Sequence, residues 1–196
     1  MTEIVLVRHA STSWTGHRYC GRSDPSLDAE GLAAARSLAE VLAPSLARDL
    51  LIVTSPARRA RQTAAALAAR LGVNVEVDER WREADFGIAE GRTFDELAAD
   101  QPVLAAALAF GQTDIDWPEG ESAAEMRARI AAAWMALGAR RRPALVVSHA
   151  GAIRHAVALA RGLQADAVGV LEPASSVRVE VRSAEAEPAR VLPSRP

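Results

Sequence analysis

Short apolar runs alternate along the chain with longer stretches in which apolar residues recur every three or four positions. The short runs are rich in β-branched residues, which predicts buried strands at 3–7, 50–54, 73–77 and 144–147. The periodic stretches predict helices at about 28–46, 56–71, 93–110 with a break at Pro102, 122–140 and 152–161. Position 171 and the segments 176–181 and 190–192 are further strand candidates for the sheet edge.

This alternation of strands and helices predicts an α/β fold. We expect a three-layer α/β/α sandwich around a mainly parallel sheet with an antiparallel edge strand. A chain of 196 residues is most simply one domain, residues 1–196, with a full core. No repeat, linker or low-complexity tract divides it.

Composition and charge limit the classes of partner and the location that we expect for this protein. The net charge of −2 argues against general nucleic-acid binding, and no stretch approaches the ~20 apolar residues of a membrane span. Cys20 is the only cysteine, so an internal disulfide is excluded. The chain runs straight into a strand without a basic and apolar leader, which predicts a cytoplasmic location. The sequence leaves the oligomeric state open, with a homodimer among the options.

Three predicted strands end on polar groups that can carry chemistry. Arg8-His9 follows the first strand, Ser55 leads to Arg58 and Arg59 after the second, and Ser148-His149 follows 144–147. Because parallel strands bring their carboxyl ends to one edge of the sheet, we expect these groups to converge there. The chain contains no lysine, so an anion site must use guanidinium groups or backbone amides.

These residue types suit a tetrahedral oxyanion. Arg8 and one of Arg58, Arg59 and Arg61 can form a forked clamp on phosphate oxygens. A neutral His9 can attack phosphorus, and His149 can be a second donor to the transferring oxygens.

Glu83 can protonate the leaving oxygen and later activate water. The alternative for Glu83 is a surface carboxylate paired with Arg82 or Arg80.

Other kinds of site fit less well. Arginines beside His9 and His149 disfavour a bound cation, so we expect no metal, and the chain has neither a P-loop nor a dinucleotide-binding glycine pattern. Cys20 is expected to be a small packed side chain. His17 and His155 are expected to be exposed or structural.

Four separated motifs resemble those of the histidine phosphatase superfamily, also called phosphoglycerate mutase-like. They are Leu-Val-Arg8-His9, Ser55-Pro-Ala-Arg58-Arg59-Ala-Arg-Gln-Thr-Ala, Arg82-Glu83-Ala-Asp-Phe-Gly and Val-Ser-His149-Ala-Gly-Ala-Ile-Arg154. The resemblance covers nearly the whole chain, and its specificity lies in the order and spacing of the four motifs.

The resemblance implies roles for these positions. His9 would be the phosphorylated nucleophile and Glu83 the general acid, while Arg8, Arg59 and His149 would complete the catalytic group. The phosphate and substrate contacts implied are Arg8, Thr15, Gly21, Arg59, His149 and Ala150. The chain departs from the family pattern at Ala10, Ser11 and Ala89, and Thr15 stands where an asparagine is frequent.

Three hypotheses follow from this resemblance. The first is a phosphomonoesterase that acts through a phosphohistidine on a small phosphorylated metabolite, without a cofactor. The segment 18–24 resembles the corresponding loop of α-ribazole phosphatases, so α-ribazole phosphate is one candidate substrate. The second hypothesis is a phosphoglycerate mutase-type phosphoryl transfer, and the third is a non-catalytic module that binds phosphorylated ligands.

Overall fold

The computed structural model describes residues 2–181, which contain five β-strands and six α-helices. The strands are β1 (Thr2–Arg8), β2 (Leu51–Thr54), β3 (Val75–Val77), β4 (Ala144–Ser148) and β5 (Ser176–Val181). The helices are α1 (Ala29–Leu42), α2 (Arg58–Leu71), α3 (Phe94–Asp100), α4 (Pro102–Ala109), α5 (Ala123–Ala139) and α6 (Ala150–Arg161). The predicted strand at 190–192 lies outside the described residues.

The strands form one sheet in the order β3-β2-β4-β1-β5. Neighbouring strands from β3 to β1 are parallel, and β5 runs antiparallel to β1 at the edge. In the register of β1 and β4, Arg8 lies opposite Ser148. The predicted mainly parallel sheet with an antiparallel edge strand is therefore confirmed, and β1 and β4 end side by side.

Helices cover both faces of this sheet because successive side chains of a strand point to opposite sides. Val5 and Val7 of β1 pack in a cluster with residues of α1 and α2. Ile4 and Leu6 of the same strand pack in another cluster with residues of α5 and α6. The alternation confirms the three-layer arrangement, in which β1, β2 and β4 are buried on both faces.

Local sequence signals fix most helix ends. Asp28 caps α1 by accepting a hydrogen bond of 2.6 Å from the Gly31 amide, and Ser122 and Glu125 form a capping box at the start of α5. Pro102 separates α3 from α4, as the sequence predicts.

Two expectations about element boundaries need correction. The helix expected from 152 begins at Ala150, so its first turn follows His149 directly. Leu171 is not in a strand; it lies in the loop before β5, where its carbonyl oxygen accepts a hydrogen bond from Arg8. Among the helices of residues 2–181, none combines the length and hydropathy needed to cross a membrane.

Candidate active site

The two histidines at the ends of β1 and β4 face each other. The His9 amide donates to the Ser148 carbonyl oxygen at 2.9 Å, which continues the ladder between β1 and β4. The ring centroids of His9 and His149 are 5.0 Å apart, with an angle of 64° between the ring planes. The predicted convergence at the carboxyl edge of the sheet is confirmed for both histidines.

Arg59 connects the two rings from the first turn of α2. Its side chain is buried, its Nε donates to His9 Nε2 at 3.3 Å, and its Nη2 lies 3.2 Å from His149 Nδ1. The rest of the guanidinium donates to the carbonyl oxygens of Cys20, Gly21 and Ser23. Arg58 and Arg61 of the same helix are exposed, so Arg59 is the arginine of this segment that reaches the site.

His9 is held in one tautomer. Its Nδ1 lies 2.7 Å from the Ala10 carbonyl oxygen, which can only accept, so Nδ1 carries the proton. Nε2 therefore keeps its lone pair and accepts from Arg59. Burial is the main cause that lowers the pKa of His9 to about 3, and the charges of Arg59 and Arg8 act in the same direction. The ring is thus neutral, as a nucleophile requires.

His149 is neutral as well. Burial, followed by the charge of Arg59, holds its pKa well below the ordinary value. Its Nδ1 faces the donor-only guanidinium of Arg59 and therefore accepts, so its Nε2 donates to Ser55 Oγ at 2.8 Å.

Arg8 brings a second guanidinium to the same place. It lines the cavity described below, and its Nη1 donates to the Leu171 carbonyl oxygen. Its Nε is buried and has no hydrogen-bond partner among residues 2–181. Burial lowers the pKa of Arg8, whereas the carboxylates of Glu83 and Glu172 oppose that effect. Because Arg8 lines the cavity, its guanidinium is placed to bind an oxyanion there.

Glu83 lies at the amino-terminal end of α6. Its carboxylate accepts from the Gly151 amide at 3.1 Å and the Ala152 amide at 3.2 Å. The helix dipole favours a carboxylate in this position. The side chain is buried, so the alternative of a surface carboxylate paired with Arg80 or Arg82 is wrong. Those arginines pair with Asp78 and Glu79 instead.

Arg8, His9, Arg59 and Glu83 line a cavity of about 290 Å³ at the carboxyl edge of the sheet. His149, which the sequence also predicts as a phosphate contact, is buried and is not among the lining residues. The wall contains the predicted phosphate contacts Thr15 and Ala150 beside Arg8, His9, Arg59 and Glu83. Its outer part is formed by other residues, which are Thr12, Trp14, Gly16, Arg18, Tyr19, Cys20 and Phe86. The cavity therefore has a cationic inner end, and its outer part carries three aromatic side chains, Trp14, Tyr19 and Phe86, beside Arg18.

Gly21 has a supporting position. Its carbonyl oxygen accepts from Arg59 at 3.0 Å, whereas its amide donates to the carboxylate of Glu90 at 3.1 Å. A Cβ at Gly21 would lie 2.1 Å from the Ala84 carbonyl oxygen, so the close approach of the two segments requires glycine. Both polar backbone groups of Gly21 are thus engaged within the protein.

Glu90 is the functional residue whose role was not recognised in the sequence. Its carboxylate accepts from the amides of Gly21, Arg22 and Ser23 and from the Ser23 hydroxyl at 2.8 Å. It also accepts from the Phe86 amide at 3.3 Å. The signal was present, since Ala89-Glu90-Gly91 stands where the family has W-E-G, but local sequence did not indicate what the carboxylate holds.

The other two histidines and the cysteine differ in their burial. His17 is exposed, and His155 is buried on α6, where burial lowers its pKa. Cys20 lines the cavity, and burial raises the pKa of its thiol to about 11. Among residues 2–181, no group of three or more His, Cys, Asp or Glu side chains is arranged to hold a metal ion.

The family is settled by a sequence match. The family model of the histidine phosphatase superfamily (branch 1) matches residues 4–191. The chain belongs to this superfamily. Its four motifs are the segments that meet around His9, so the fold and the resemblance identify the same cavity.

Known members of the superfamily include named mutases and phosphatases. The probable phosphoglycerate mutase GpmB of Enterobacter sp. (strain 638) is 36% identical over 172 residues, covering 84% of this chain and 77% of the relative. A mycobacterial glucosyl-3-phosphoglycerate phosphatase has a TM-score of 0.80 and 32% identity, covering 90% of this chain and 89% of its own. Bacillus stearothermophilus YhfR has a TM-score of 0.83 and 26% identity, covering 93% and 92%. The chain is therefore similar to enzymes of both types.

Proposed function

We propose that this member of the superfamily is a phosphomonoesterase that cleaves small phosphate esters through a phosphohistidine. His9 Nε2 attacks phosphorus and the bond from phosphorus to the ester oxygen breaks. Glu83, which takes up a proton from solvent when the phosphate ester binds, delivers that proton to the departing alcohol. Water then attacks the phosphohistidine and gives a proton to Glu83, which frees inorganic phosphate and restores neutral His9. Arg8 and Arg59 hold the phosphoryl oxygens, and Thr15 and Ala150 line the same end of the cavity.

The observation that carries this proposal is the hydrogen bonding of the His9 ring. The Ala10 carbonyl oxygen fixes the proton on Nδ1, and Arg59 Nε contacts Nε2 at 3.3 Å. A guanidinium beside the attacking nitrogen places cationic charge where the transferring oxygens gather negative charge. The low pKa of His9 keeps the lone pair available at ordinary pH.

Hydrolysis is favoured over mutase chemistry by the charges around the cavity. A phosphoglycerate mutase must retain an acid that carries further negative charge while the phosphoryl group returns from the histidine. Arg18, at the outer end of the cavity, is 3.5 Å from the Glu96 carboxylate. The sequence contains no basic residue between Arg92 and Arg127, where family enzymes place segments over the cavity. A second anion subsite is therefore poorly supported, and water is the acceptor that we propose.

The substrate that we propose is a small-molecule ester in the cytoplasm. α-Ribazole phosphate stays among the candidates because the segment 18–24 resembles the loop of α-ribazole phosphatases, and Arg18, Tyr19 and Cys20 of this segment line the cavity. A panel of phosphorylated metabolites that includes this ester and sugar phosphates would identify the preferred leaving group.

Trapping of the intermediate tests the reaction. Brief incubation with a ³²P-labelled ester, followed by denaturation in alkali, should leave an acid-labile label on the wild-type chain and none on His9→Ala. The exposed His17 offers a matched control, and His17→Ala should retain label and turnover. Unchanged hydrolysis of p-nitrophenyl phosphate by His9→Ala would overturn the proposal.

Product analysis separates the alternatives. With 3-phosphoglycerate, free phosphate without isomerised acid supports a phosphatase, whereas isomerised acid supports a mutase. Binding of inorganic phosphate without turnover of any ester in the panel would favour the non-catalytic module.

A further inference from the structure

We propose that the outer end of the cavity accepts an uncharged leaving group with a flat apolar face, such as an aryl ring or the face of a sugar, and discriminates against carboxylate-bearing leaving groups. This inference rests on the proposed phosphomonoesterase activity and specifies the substrate class of the same site.

Aromatic side chains form the outer wall. Trp14, Tyr19 and Phe86 line the cavity, and Trp117 packs on Phe86 with ring centroids 4.3 Å apart. Tyr19 contacts both Phe86 and Trp117 at centroid distances of 6.1 Å. We call these four residues the aromatic wall. Since Tyr19, Phe86 and Trp117 contact one another, the wall presents preformed ring surface to a leaving group.

The fold also fixes this wall from behind. The Tyr19 amide donates to the Arg92 carbonyl oxygen, and the Tyr19 carbonyl oxygen accepts from Gly91, each at 2.9 Å. Gly87 has a φ of 50°, and a Cβ there would lie 2.1 Å from the Pro118 carbonyl oxygen, so the segments bearing Phe86 and Trp117 meet at backbone contact. A rigid aromatic surface loses little conformational entropy when a ring stacks on it.

The guanidinium groups beside the wall are already paired. Arg18 donates to the Gly91 carbonyl oxygen at 2.6 Å and lies 3.5 Å from Glu96. Arg22, on the neighbouring turn, lies 3.8 Å from Asp85 and 3.9 Å from Glu121. A carboxylate on the leaving group would have to compete with these protein carboxylates for its partner.

The inner end differs in this respect. Within residues 2–181, neither Arg8 nor Arg59 has a carboxylate within ion-pair distance, and both line the cavity. The cationic charge that no carboxylate neutralises at ion-pair distance is therefore concentrated where the phosphoryl group binds. A second anion at the aromatic wall would lose water without gaining an unpaired cation, which disfavours acidic leaving groups.

Phenyl phosphate and 4-carboxyphenyl phosphate make a matched pair of substrates, because they share the ring and differ by one carboxylate. We expect kcat/KM of the wild-type protein to be higher for phenyl phosphate by at least about tenfold, the ratio that corresponds to about 1.4 kcal/mol. Equal or faster cleavage of the carboxylated ester would overturn the inference while leaving the phosphatase activity in place. Absence of turnover and of phosphohistidine with both esters would instead reject the proposed function.

Glu96→Gln tests the pairing directly. Gln can replace Glu in the capping box with Thr93, so helix α3 should be preserved while Arg18 loses its carboxylate partner. The ratio of kcat/KM between the two esters should fall by about threefold or more, through faster cleavage of 4-carboxyphenyl phosphate. The exposed Glu119→Gln is the control and should leave the ratio unchanged. An unchanged ratio in Glu96→Gln would contradict the role of charge pairing.

Trp14→Leu tests the aromatic wall. We expect its KM to rise several-fold for phenyl phosphate and to change little for glycerol phosphate, which offers no flat face. Comparing each substrate with itself in the two proteins removes the difference in intrinsic reactivity. An equal effect on both esters would show that the wall does not recognise the leaving group.

Discussion

Glu90 and Arg59 hold opposite sides of the same turn of chain. The carboxylate of Glu90 accepts from the amides of residues 21–23, while the guanidinium of Arg59 donates to the carbonyl oxygens of Cys20, Gly21 and Ser23. This turn therefore transmits the position of Glu90 to the arginine that contacts both histidines. Glu90 itself does not line the cavity, so it is a positioning residue.

Glu90→Gln should weaken this support. The amide nitrogen of Gln would face backbone donors, leaving at least one of them unpaired at a cost of about 1–3 kcal/mol in the free energy of unfolding. We expect kcat/KM to fall about tenfold and the inhibition constant of vanadate to rise by a similar factor. The measurement is made far below the melting temperature, with the exposed Glu119→Gln as control. A lower melting temperature with unchanged vanadate binding would mean that the role is structural only.

Gly151→Ala should disturb Glu83 without breaking helix α6. Alanine favours helix, but its Cβ would lie 2.5 Å from Glu83 Oε1. If Glu83 protonates the leaving oxygen, alkyl phosphates should lose about 10–100-fold in kcat. The kcat for p-nitrophenyl phosphate should fall much less, because its p-nitrophenolate leaving group departs without a proton.

Gly169→Ala is the matched control for that substitution, since nothing lies within 4 Å of the added Cβ. It should leave both substrates unaffected. Equal losses on both substrates in Gly151→Ala would argue against a role of Glu83 in leaving-group protonation.

The pKa of His9 predicts how stability depends on pH. The folded value of about 3 lies below the unfolded value of 6.5, so the unfolded chain binds more protons between these limits. The stabilisation by neutral His9 is present above pH 6.5 and is lost as the pH falls towards 3. Each such histidine should lower the free energy of unfolding by about 1.4 kcal/mol per pH unit in this window. Urea unfolding from pH 7 to pH 4 measures the slope.

His9→Asn supplies the comparison for that slope. The variant has one titrating group fewer. The slope of its unfolding free energy against pH should therefore be smaller by the contribution of about one proton. His149 is shifted in the same direction and continues to contribute in both proteins. Identical slopes for the two proteins would contradict a neutral His9.

Cys20 should resist alkylation although it lines the cavity. Burial raises the pKa of its thiol to about 11, and its Sγ donates to the Ser23 carbonyl oxygen at 3.4 Å. The thiolate, which is the reactive form, is therefore scarce at pH 8. Iodoacetamide should modify the folded protein at least about tenfold more slowly than the protein in urea. Equal rates would show that the thiol is neither buried nor held.

The sequence alone predicted the order of the elements and the strands whose carboxyl ends carry the site residues. Arg8, His9 and His149 directly follow or end apolar runs, and a buried strand is a local pattern of a few residues. The break at Pro102 and the capping box at Ser122 are local for the same reason. Some boundaries shifted by one or two residues, as at Ala150, because the terminal turns of a helix depend on their contacts.

Only the tertiary structure decided which side chains meet. Local sequence left Arg58, Arg59 and Arg61 as equal candidates, and the family resemblance singled out Arg59. Local sequence also offered Arg80 or Arg82 as partners of Glu83. Packing buries Arg59 and places the Glu83 carboxylate at the amino-terminal end of α6. Glu90 binds Gly21 across a separation of 69 residues, a contact that periodicity does not encode. Strand and helix patterns arise from neighbours along the chain, but hydrogen bonds and charge pairs in the site arise from the register of β1 and β4 and the docking of loops over them. The sequence therefore determined the fold and the reacting groups, and the packing determined how they are positioned.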